Sequence, residues 1–522
     1  MMKGQKHITL FLALLSAFML NAQEEWDRKD QRSLDEADIA FQQEMYDFAY
    51  DLLHPLLQKD SSDARLNYQL GACMIELGMD EKKSLAHLEK AIESKPEAYF
   101  YYGRALHLNL RFDDAHLAFS KYQEVVNPKV DLATVEYHKA MSVRAKAAIK
   151  NPVDVRIKNM GPTINTAYSE YVPIVSADNS TLYFTSRRKG STGQLKDPNE
   201  EYFEDIYSSS RPEANIWTPA QNIGAPVNTT THDATVSISS DGKTMIIYRT
   251  NANLTGGDLY FTEKSGEGWS DPKMFGKEIN SPYQEASACY SPDKNTLYFS
   301  SNRPGGFGGK DIYRVKRLPT GDWSLPKNLG PAINTPYDDD APFMDIDNKT
   351  LYFSSKGHST IGGYDVFRAY VEGPELWSPV ENLGYPVNTV FDDIYLAVDA
   401  GGRKGYYSSD QSGGYGKQDL YEIDFIYRQQ VQLIVKGKIA NDEGDPVHTS
   451  ITVLNEDDQQ VQGIYKCHPK TGAFVLVLNP LMKYRLILEA EGHKTSSEQL
   501  FLDFPVTGEV EVILPDFLLP KE

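Results

Sequence analysis

The chain has 522 residues, with 53 Lys and Arg against 73 Asp and Glu and a formal net charge of −20. At roughly 150 residues per domain this length suggests about three domains, and a surface of that sign repels a phosphate backbone, which excludes nucleic acid as a partner. The 32 Tyr and 37 Gly suit a β-rich body with many tight turns, while Cys73, Cys289 and Cys467 make neither a disulfide framework nor a metal knuckle.

The N-terminus reads as an export signal. Lys3, Lys6 and His7 precede the apolar run 8–20, and Ala22 offers a small residue at the cut, although Leu20 departs from the usual small residue two positions earlier. The run falls short of the roughly 20 residues that span a bilayer. Residues 1–22 are therefore expected to be a signal peptide.

Residues 23–150 read as helical hairpins. Leu66–Gly78 carries apolar residues at helical spacing and stops at a glycine, and a second helix, Ser84–Ile92, is closed by Pro96. The pattern restarts at Tyr102–Leu106 and Phe112–Phe119, closed by Pro128. Gly71 to Gly103 and Pro96 to Pro128 are each a step of 32 residues, near the 34-residue tetratricopeptide period. Small residues such as Gly71 and Gly103 let crossing helices approach closely. An earlier pair, 35–44 and 47–57, follows the same plan more loosely, and 130–149 is expected to cap the array. A plain helical bundle has the same periodicity, so both readings stay open.

Between 151 and 428 one unit recurs. Asp205-Ile-Tyr, Asp258-Leu-Tyr, Asp311-Ile-Tyr, Asp365-Val-Phe and Asp419-Leu-Tyr follow one another at steps of 53, 53, 54 and 54 residues. The third copy shows four strand-like pieces: 286–290, 297–301, 311–315 and the Trp323-led 324–330. Its glycines Gly305, Gly306, Gly308 and Gly309 mark a bend, and no helix pattern follows them, which rules out a dinucleotide loop. Tandem four-stranded units of this length are propeller blades. The Trp-led strand occurs four times, at Trp217, Trp269, Trp323 and Trp377, and the inner three strands five times. Residues 152–161 match the missing outer strand, so a five-bladed β-propeller is expected, closed by its own first strand so that no sheet edge stays bare.

Two features of the units bear on chemistry. Glu170, Asp233, Glu285, Asp339 and Asp393 occupy equivalent positions near one mouth of the channel. They either bind a cation or a basic partner segment, or accept hydrogen bonds that lock the repeat, and a residue present in every unit serves the repeat first. The same holds for the Asp205, Asp258, Asp311, Asp365 and Asp419 series. The first unit carries an insertion, and its residues Lys196, Asp197, Asn199, Glu200, Tyr202 and Phe203 form the candidate specificity loop. Tyr168, Tyr283 and Tyr337, again at equivalent positions, suit either ligand stacking or packing. Residues 429–522 turn to short alternating strands with Gly, Pro and Asp turns, a β-sandwich of about seven strands.

The motif Ser291-Pro-Asp293, Thr296-Leu-Tyr-Phe-Ser-Ser-Asn-Arg303, Gly305-Gly306 and Asp311-Ile-Tyr313 resembles the WD40-like repeats of the TolB type of propeller. Gly437-Lys-Ile439, Asp442-Glu-Gly444-Asp-Pro446, Thr471-Gly-Ala-Phe474, Tyr484-Arg-Leu486 and Gly492-His493 resemble a carboxypeptidase regulatory-like, transthyretin-like domain. Tetratricopeptide-like repeats, propeller and regulatory-like sandwich in this order resemble the OmpA-family periplasmic proteins of Bacteroidetes, one of which is associated with type IX secretion. The resemblance implies a periplasmic, outer-membrane-associated scaffold that binds envelope proteins and uses no cofactor. The relatives continue into an OmpA-like peptidoglycan-binding domain where this chain stops at Glu522, so cell-wall binding is not carried over. No G-x-S-x-G or H-E-x-x-H is present and the eleven histidines are scattered, His232 beside Asp233 reading as a loop residue. The expectation is a non-catalytic protein without a metal; the alternative is a propeller whose mouth binds a glycan, a peptidoglycan fragment or a cation.

Overall fold

A computed structural model describes residues 26–521, apart from 177–178, 198–199, 212–215, 267, 374, 400–401, 426–432, 457–460, 479–482 and 502–510. The expected signal peptide, 1–22, lies outside the described residues. The chain divides into two compact units, one comprising the helices through Asn151 with Ser359–Gly363 and Thr389–Phe391, the other the remaining residues.

The helical unit contains α1 (Arg28–Gln42), α2 (Tyr46–Lys59), α3 (Ala64–Glu76), α4 (Glu81–Ala91), α5 (Tyr99–Leu108), α6 (Phe112–Tyr122) and α7 (Leu132–Lys150). Asp27, Asp63, Asp80 and Asp131 cap four of their N-termini, each carboxylate accepting first-turn N–H groups that have no intrahelical partner. Consecutive helices pack as pairs, and α7 covers α6. The glycines sit at the crossings. A Cβ on Gly71 would lie 2.7 Å from Leu88 Cγ, and one on Gly103 2.6 Å from Phe119 Cε1, so a larger residue at either place forces the pair apart.

In the second unit, five sheets of at least four strands form a closed ring. Their inner strands are Glu170–Val175, Asp233–Ile238, Ala288–Tyr290, Asp339–Met344 and Asp393–Val398; each touches the next, and the last touches the first. This is a five-bladed β-propeller. The fifth sheet takes its outer strand from the start of the region: Val155–Asn159 pairs antiparallel with Asp419–Phe425, Ile157 opposite Ile423. Apolar clusters lie between successive blades, as where Leu297, Phe299 and Tyr313 meet Ile246 and Leu259. The outer strands are shorter than their sequence suggests, only two residues in the third blade (Lys327–Asn328), and the Trp-led start pairs separately with the end of the third strand, Trp323 opposite Arg317. Trp217, Trp269 and Trp377 lie against Tyr406, Tyr183 and Tyr298 of the preceding blade.

The third-strand aspartates are structural. Asn222, Asn328, Asn382 and Asn159 donate to Asp205, Asp311, Asp365 and Asp419 at 2.6–2.7 Å and tie outer strand to inner. The second blade has Met274 at that place, and among the described residues Asp258 receives no hydrogen bond; burial, with Glu285 nearby, raises its pKa. Met274→Asn is therefore expected to stabilise the propeller by about 1 kcal/mol, one hydrogen bond to a charged group. Urea titration checks this, and an unchanged midpoint would show that Asp258 is satisfied by water.

The last strands form two sheets around one apolar core that includes Val435, Ile439, Ile451, Phe474, Leu486 and Leu488. Ser496–Phe501, a strand that the sequence reading leaves out, forms the edge of one of them. Its alternation is hard to see because its inward positions are only half buried.

Candidate active site at the axial mouth

The repeated carboxylates are the first residues to place. Glu170, Asp233, Glu285, Asp339 and Asp393 are all at most 2% exposed. Glu170 accepts from the N–H and hydroxyl of Thr166 at 2.7 Å, from Ser186 at 2.7 Å and from Arg188 at 3.2 Å. Glu285 repeats this with Ser281, Ser301 and Arg303, Asp233 with Thr229 and Arg249, and Asp339 with Thr335 and Ser355. In the fourth blade His358 takes the place of the arginine, its Nε2–H donating to the carbonyl of Ile333 at 2.8 Å; burial then pushes Asp339 up to about 7. Four of these side chains clamp their blade's entry turn to its second strand, the locking role expected of a residue present in every unit, and Asp393 is buried at the fifth place. Among the described residues no group of three or more His, Cys, Asp or Glu side chains is placed to hold a metal ion.

The mouth, the end of the channel at which the inner strands begin, is instead lined by the neighbouring columns, where the five copies differ. The residue after each clamp is Tyr171, Ala234, Ala286, Asp340 or Ile394, and the residue before each third-strand aspartate is Glu204, Gly257, Lys310, Tyr364 or Gln418. Strand pleat turns adjacent side chains to opposite faces, so these columns face away from the clamp. Bulges in four inner strands, with Val172, Ala341 and Tyr395 at positive φ, re-aim the chain at this level.

Two carboxylates stand there in different settings. Lys310 Nζ lies 2.7 Å from Asp340 Oδ2, and the Ser287 hydroxyl donates to the other oxygen. Burial works against the Asp340 charge, but Lys310 and the hydroxyls of Ser287 and Ser300 hold its pKa down to about 2. Glu204 accepts from the Tyr171 hydroxyl and lies 3.3 Å from His232; burial opposes its charge as well, yet His232 and Tyr171 keep it below the usual range. Between them sits Tyr395, stacked on Tyr171 at 6.5 Å, its phenol pushed up by burial and then by Asp340, Glu204 and Asp392. A third carboxyl has the opposite character. Asp410 is raised to about 7 by burial and by the neighbouring Asp392.

Each blade fixes the next. The N–H of Lys310 donates to Asp338 at 2.9 Å, that of Tyr364 to Asp392 at 2.7 Å, and that of Glu204 to His232 Nδ1 at 3.3 Å. These bonds hold the functional side chains on strand ends rather than on free loops. His232, stacked on Phe203 with centroids 4.1 Å apart, thus belongs to the wall of the mouth.

The insertion of the first blade folds beside it. Lys196 pairs with Tyr202, lies 2.8 Å from Glu200 and stands over the Tyr202 ring. Arg187 binds Asp197 and Glu201, and Asp197 also faces His232 at 3.5 Å. Asn199 lies outside the described residues. Beyond Tyr395 the channel continues as a cavity of about 90 Å³ lined by Val172, Val236, Ala288, Tyr290, Phe343 and Val398. Attention to repetition missed Glu204, Lys310, Asp340 and Asp410; the signal that finds them is variation between copies at positions flanking an invariant column.

No family model matches the chain, and no curated protein matches it. Solved structures do. A GH43 β-xylosidase/α-arabinofuranosidase from a compost microbial metagenome is 13% identical over 51% of this chain and 94% of its own, with a TM-score of 0.35. An α-L-arabinofuranosidase from Lactobacillus brevis is 15% identical over 55% and 95%, with a TM-score of 0.34. A subtype N11 neuraminidase-like protein from an influenza virus of a flat-faced bat is 8% identical over 52% and 92%, with a TM-score of 0.30. Glycoside hydrolases are prominent among these neighbours, and this overturns the expectation of a non-catalytic scaffold, which is withdrawn together with the reading that the protein is no enzyme. At such scores the chemistry of this chain has to be read from its own residues.

Proposed function

We propose that the axial mouth is a carbohydrate-active site, with Asp410 as proton donor and Asp340 and Glu204 as ionised carboxylates. The observation that carries this is a set of carboxyl groups in opposed settings: Asp340, Glu204 and Asp392 all act on the Tyr395 phenol, Asp410 accepts the N–H of Asp392, and Asp410 is raised to about 7 while Asp340 is held at about 2. Environments that push carboxyl pKa values apart assign acid and base roles. Hydrolysis of a glycosidic bond needs both: the acid protonates the leaving oxygen as the carbon–oxygen bond breaks, and a carboxylate takes a proton from the water that forms the new bond. The phenols of Tyr171 and Tyr364 offer hydrogen bonds to sugar hydroxyls.

The sequence resemblance supports a setting for this activity. We read the helices as tetratricopeptide-like, the blades as WD40-like and the last two sheets as a regulatory-like sandwich, in an exported protein of the cell envelope that works beside other envelope proteins.

Release of 4-nitrophenol from a panel of 4-nitrophenyl glycosides tests the proposal. Glu204→Gln, which keeps size and hydrogen bonding, is expected to lower kcat by about 10²–10⁴-fold without moving the melting temperature. A wild-type protein inert on the whole panel, or a Glu204→Gln variant with full turnover, would overturn the assignment.

A further inference from the structure

We infer that the protein holds a neutral oligosaccharide across the mouth on two aromatic platforms, Phe307 with Tyr337 and Tyr415 with Tyr168; this rests on the carbohydrate reading and names the form of its substrate. Four residues before the third-strand aspartates stand Leu254, Phe307, Ile361 and Tyr415. Ile361 is buried, whereas Phe307 and Tyr415 are 49% and 51% exposed. Their presentation is built. Asp311 accepts the N–H groups of Phe307 and Gly308 at 2.7 and 3.0 Å, and Asp419 those of Tyr415 and Gly416 at the same distances.

The next linker lies hard against each bend. A Cβ on Gly308 would fall 2.1 Å from the carbonyl oxygen of Tyr337, and one on Gly416 1.8 Å from that of Tyr168. Only glycine fits, and the fit brings the backbone of a tyrosine of the linker against each bend; Tyr337 is 38% exposed, and Tyr168 meets Tyr202 of the inserted loop edge-on at 5.7 Å. Both platforms stand at the mouth end, since Lys310 follows Phe307 by three residues and reaches Asp340.

Held rings lose little entropy on binding. Two separate aromatic islands flanking a polar floor suit an amphipathic chain: C–H faces of sugars stack on the rings while hydroxyls meet Glu204, Asp340 and the tyrosines. The acidic floor and the net charge of −20 select a neutral chain over a uronate.

Calorimetric titration of the full chain in the Glu204→Gln background, which prevents turnover, tests this with hexasaccharides of glucose, xylose and mannose, with the matching monosaccharides and with a hexauronate. The double substitution Phe307→Ala, Tyr415→Ala is expected to weaken the best neutral hexasaccharide about ten-fold more than its monosaccharide, the size of two lost stacking contacts. Both side chains are exposed, so the fold is expected to persist, with an unchanged melting curve. An unaltered ratio, or tighter binding of the hexauronate, overturns the inference, and the carbohydrate-active assignment stands if Glu204→Gln still abolishes aryl-glycoside turnover. Conversely, a ten-fold selective loss in a protein that hydrolyses no glycoside supports the platforms and removes the catalytic reading. No binding of any hexasaccharide overturns the inference.

Discussion

Asp340→Ala is expected to cost the propeller about 3–5 kcal/mol, because it leaves the Lys310 ammonium in a concave, partly dehydrated site without its counter-charge. Asp340 itself is 1% exposed and accepts from Lys310 and Ser287. The cost belongs to breaking the pair rather than to its net worth, so Lys310→Met, Asp340→Leu together are expected to recover most of it. Guanidinium titration followed by the fluorescence of Trp217, Trp269, Trp323 and Trp377 reads the change. A loss below about 1 kcal/mol would place the pair in the class of hydrated surface bridges. The pH dependence has a definite sign. A carboxyl with a depressed folded-state pKa contributes fully above its unfolded value of 3.8 and loses that contribution as the pH falls toward 2. The gap between wild type and variant is therefore expected to start narrowing below pH 4 and to be smallest near pH 2.

Asp410→Asn is expected to act in the opposite direction on stability while abolishing turnover. The fold already contains the replacement: in the third blade Asn302 Oδ1 accepts the N–H of Gln284 at 2.8 Å, as Asp410 Oδ1 accepts that of Asp392 in the fifth. Asparagine at 410 can make the same bond without the repulsion from Asp392. Because the folded-state pKa of Asp410 is raised to about 7 from 3.8, its contribution is present below pH 4 and is lost as the pH rises through 7. The variant is accordingly expected to match the wild type at pH 4 and to exceed it by roughly 2 kcal/mol at pH 8, a discounted share of about 1.4 kcal/mol per pKa unit. Loss of the proton donor removes about 10²–10⁴-fold in kcat. A stability difference independent of pH would show that folding does not raise the Asp410 pKa, and it could not then serve as the acid.

These outcomes bear on which features can be read from a sequence of repeats. The helical spacing of 66–78 and 84–92, the glycines at 71 and 103 and the 53- and 54-residue steps each reflect local hydrogen bonding and side-chain alternation, which a short window of residues records. Counting outer strands was enough to locate Val155–Asn159 as the strand that closes the ring, since every blade must satisfy the same edge. The column of Glu170, Asp233, Glu285, Asp339 and Asp393 was equally visible, and its presence in every unit favoured the locking role that the hydrogen bonds of four of them show. Repetition marks what each blade needs to fold, and pleat sends the adjacent position to the other face.

The resemblance drawn from the repeats pointed away from the proposed site for a related reason. Short catalytic motifs such as G-x-S-x-G and H-E-x-x-H record groups held on one segment, and neither stands in this chain. The proposed site is drawn instead from Tyr171 and Glu204 of the first blade, Lys310 of the third, Asp340 of the fourth and Tyr395 and Asp410 of the fifth, residues with no shared spacing. The sequence by itself determined the helices, the blades, their number and the clamp that holds each one. The packing of strand on strand and blade on blade decided which unlike residues meet, that Lys310 of the third blade neutralises Asp340 of the fourth and that Asp392 crowds Asp410 within the fifth, because those energies depend on burial and on distances between strands, which are not encoded in any short stretch of chain.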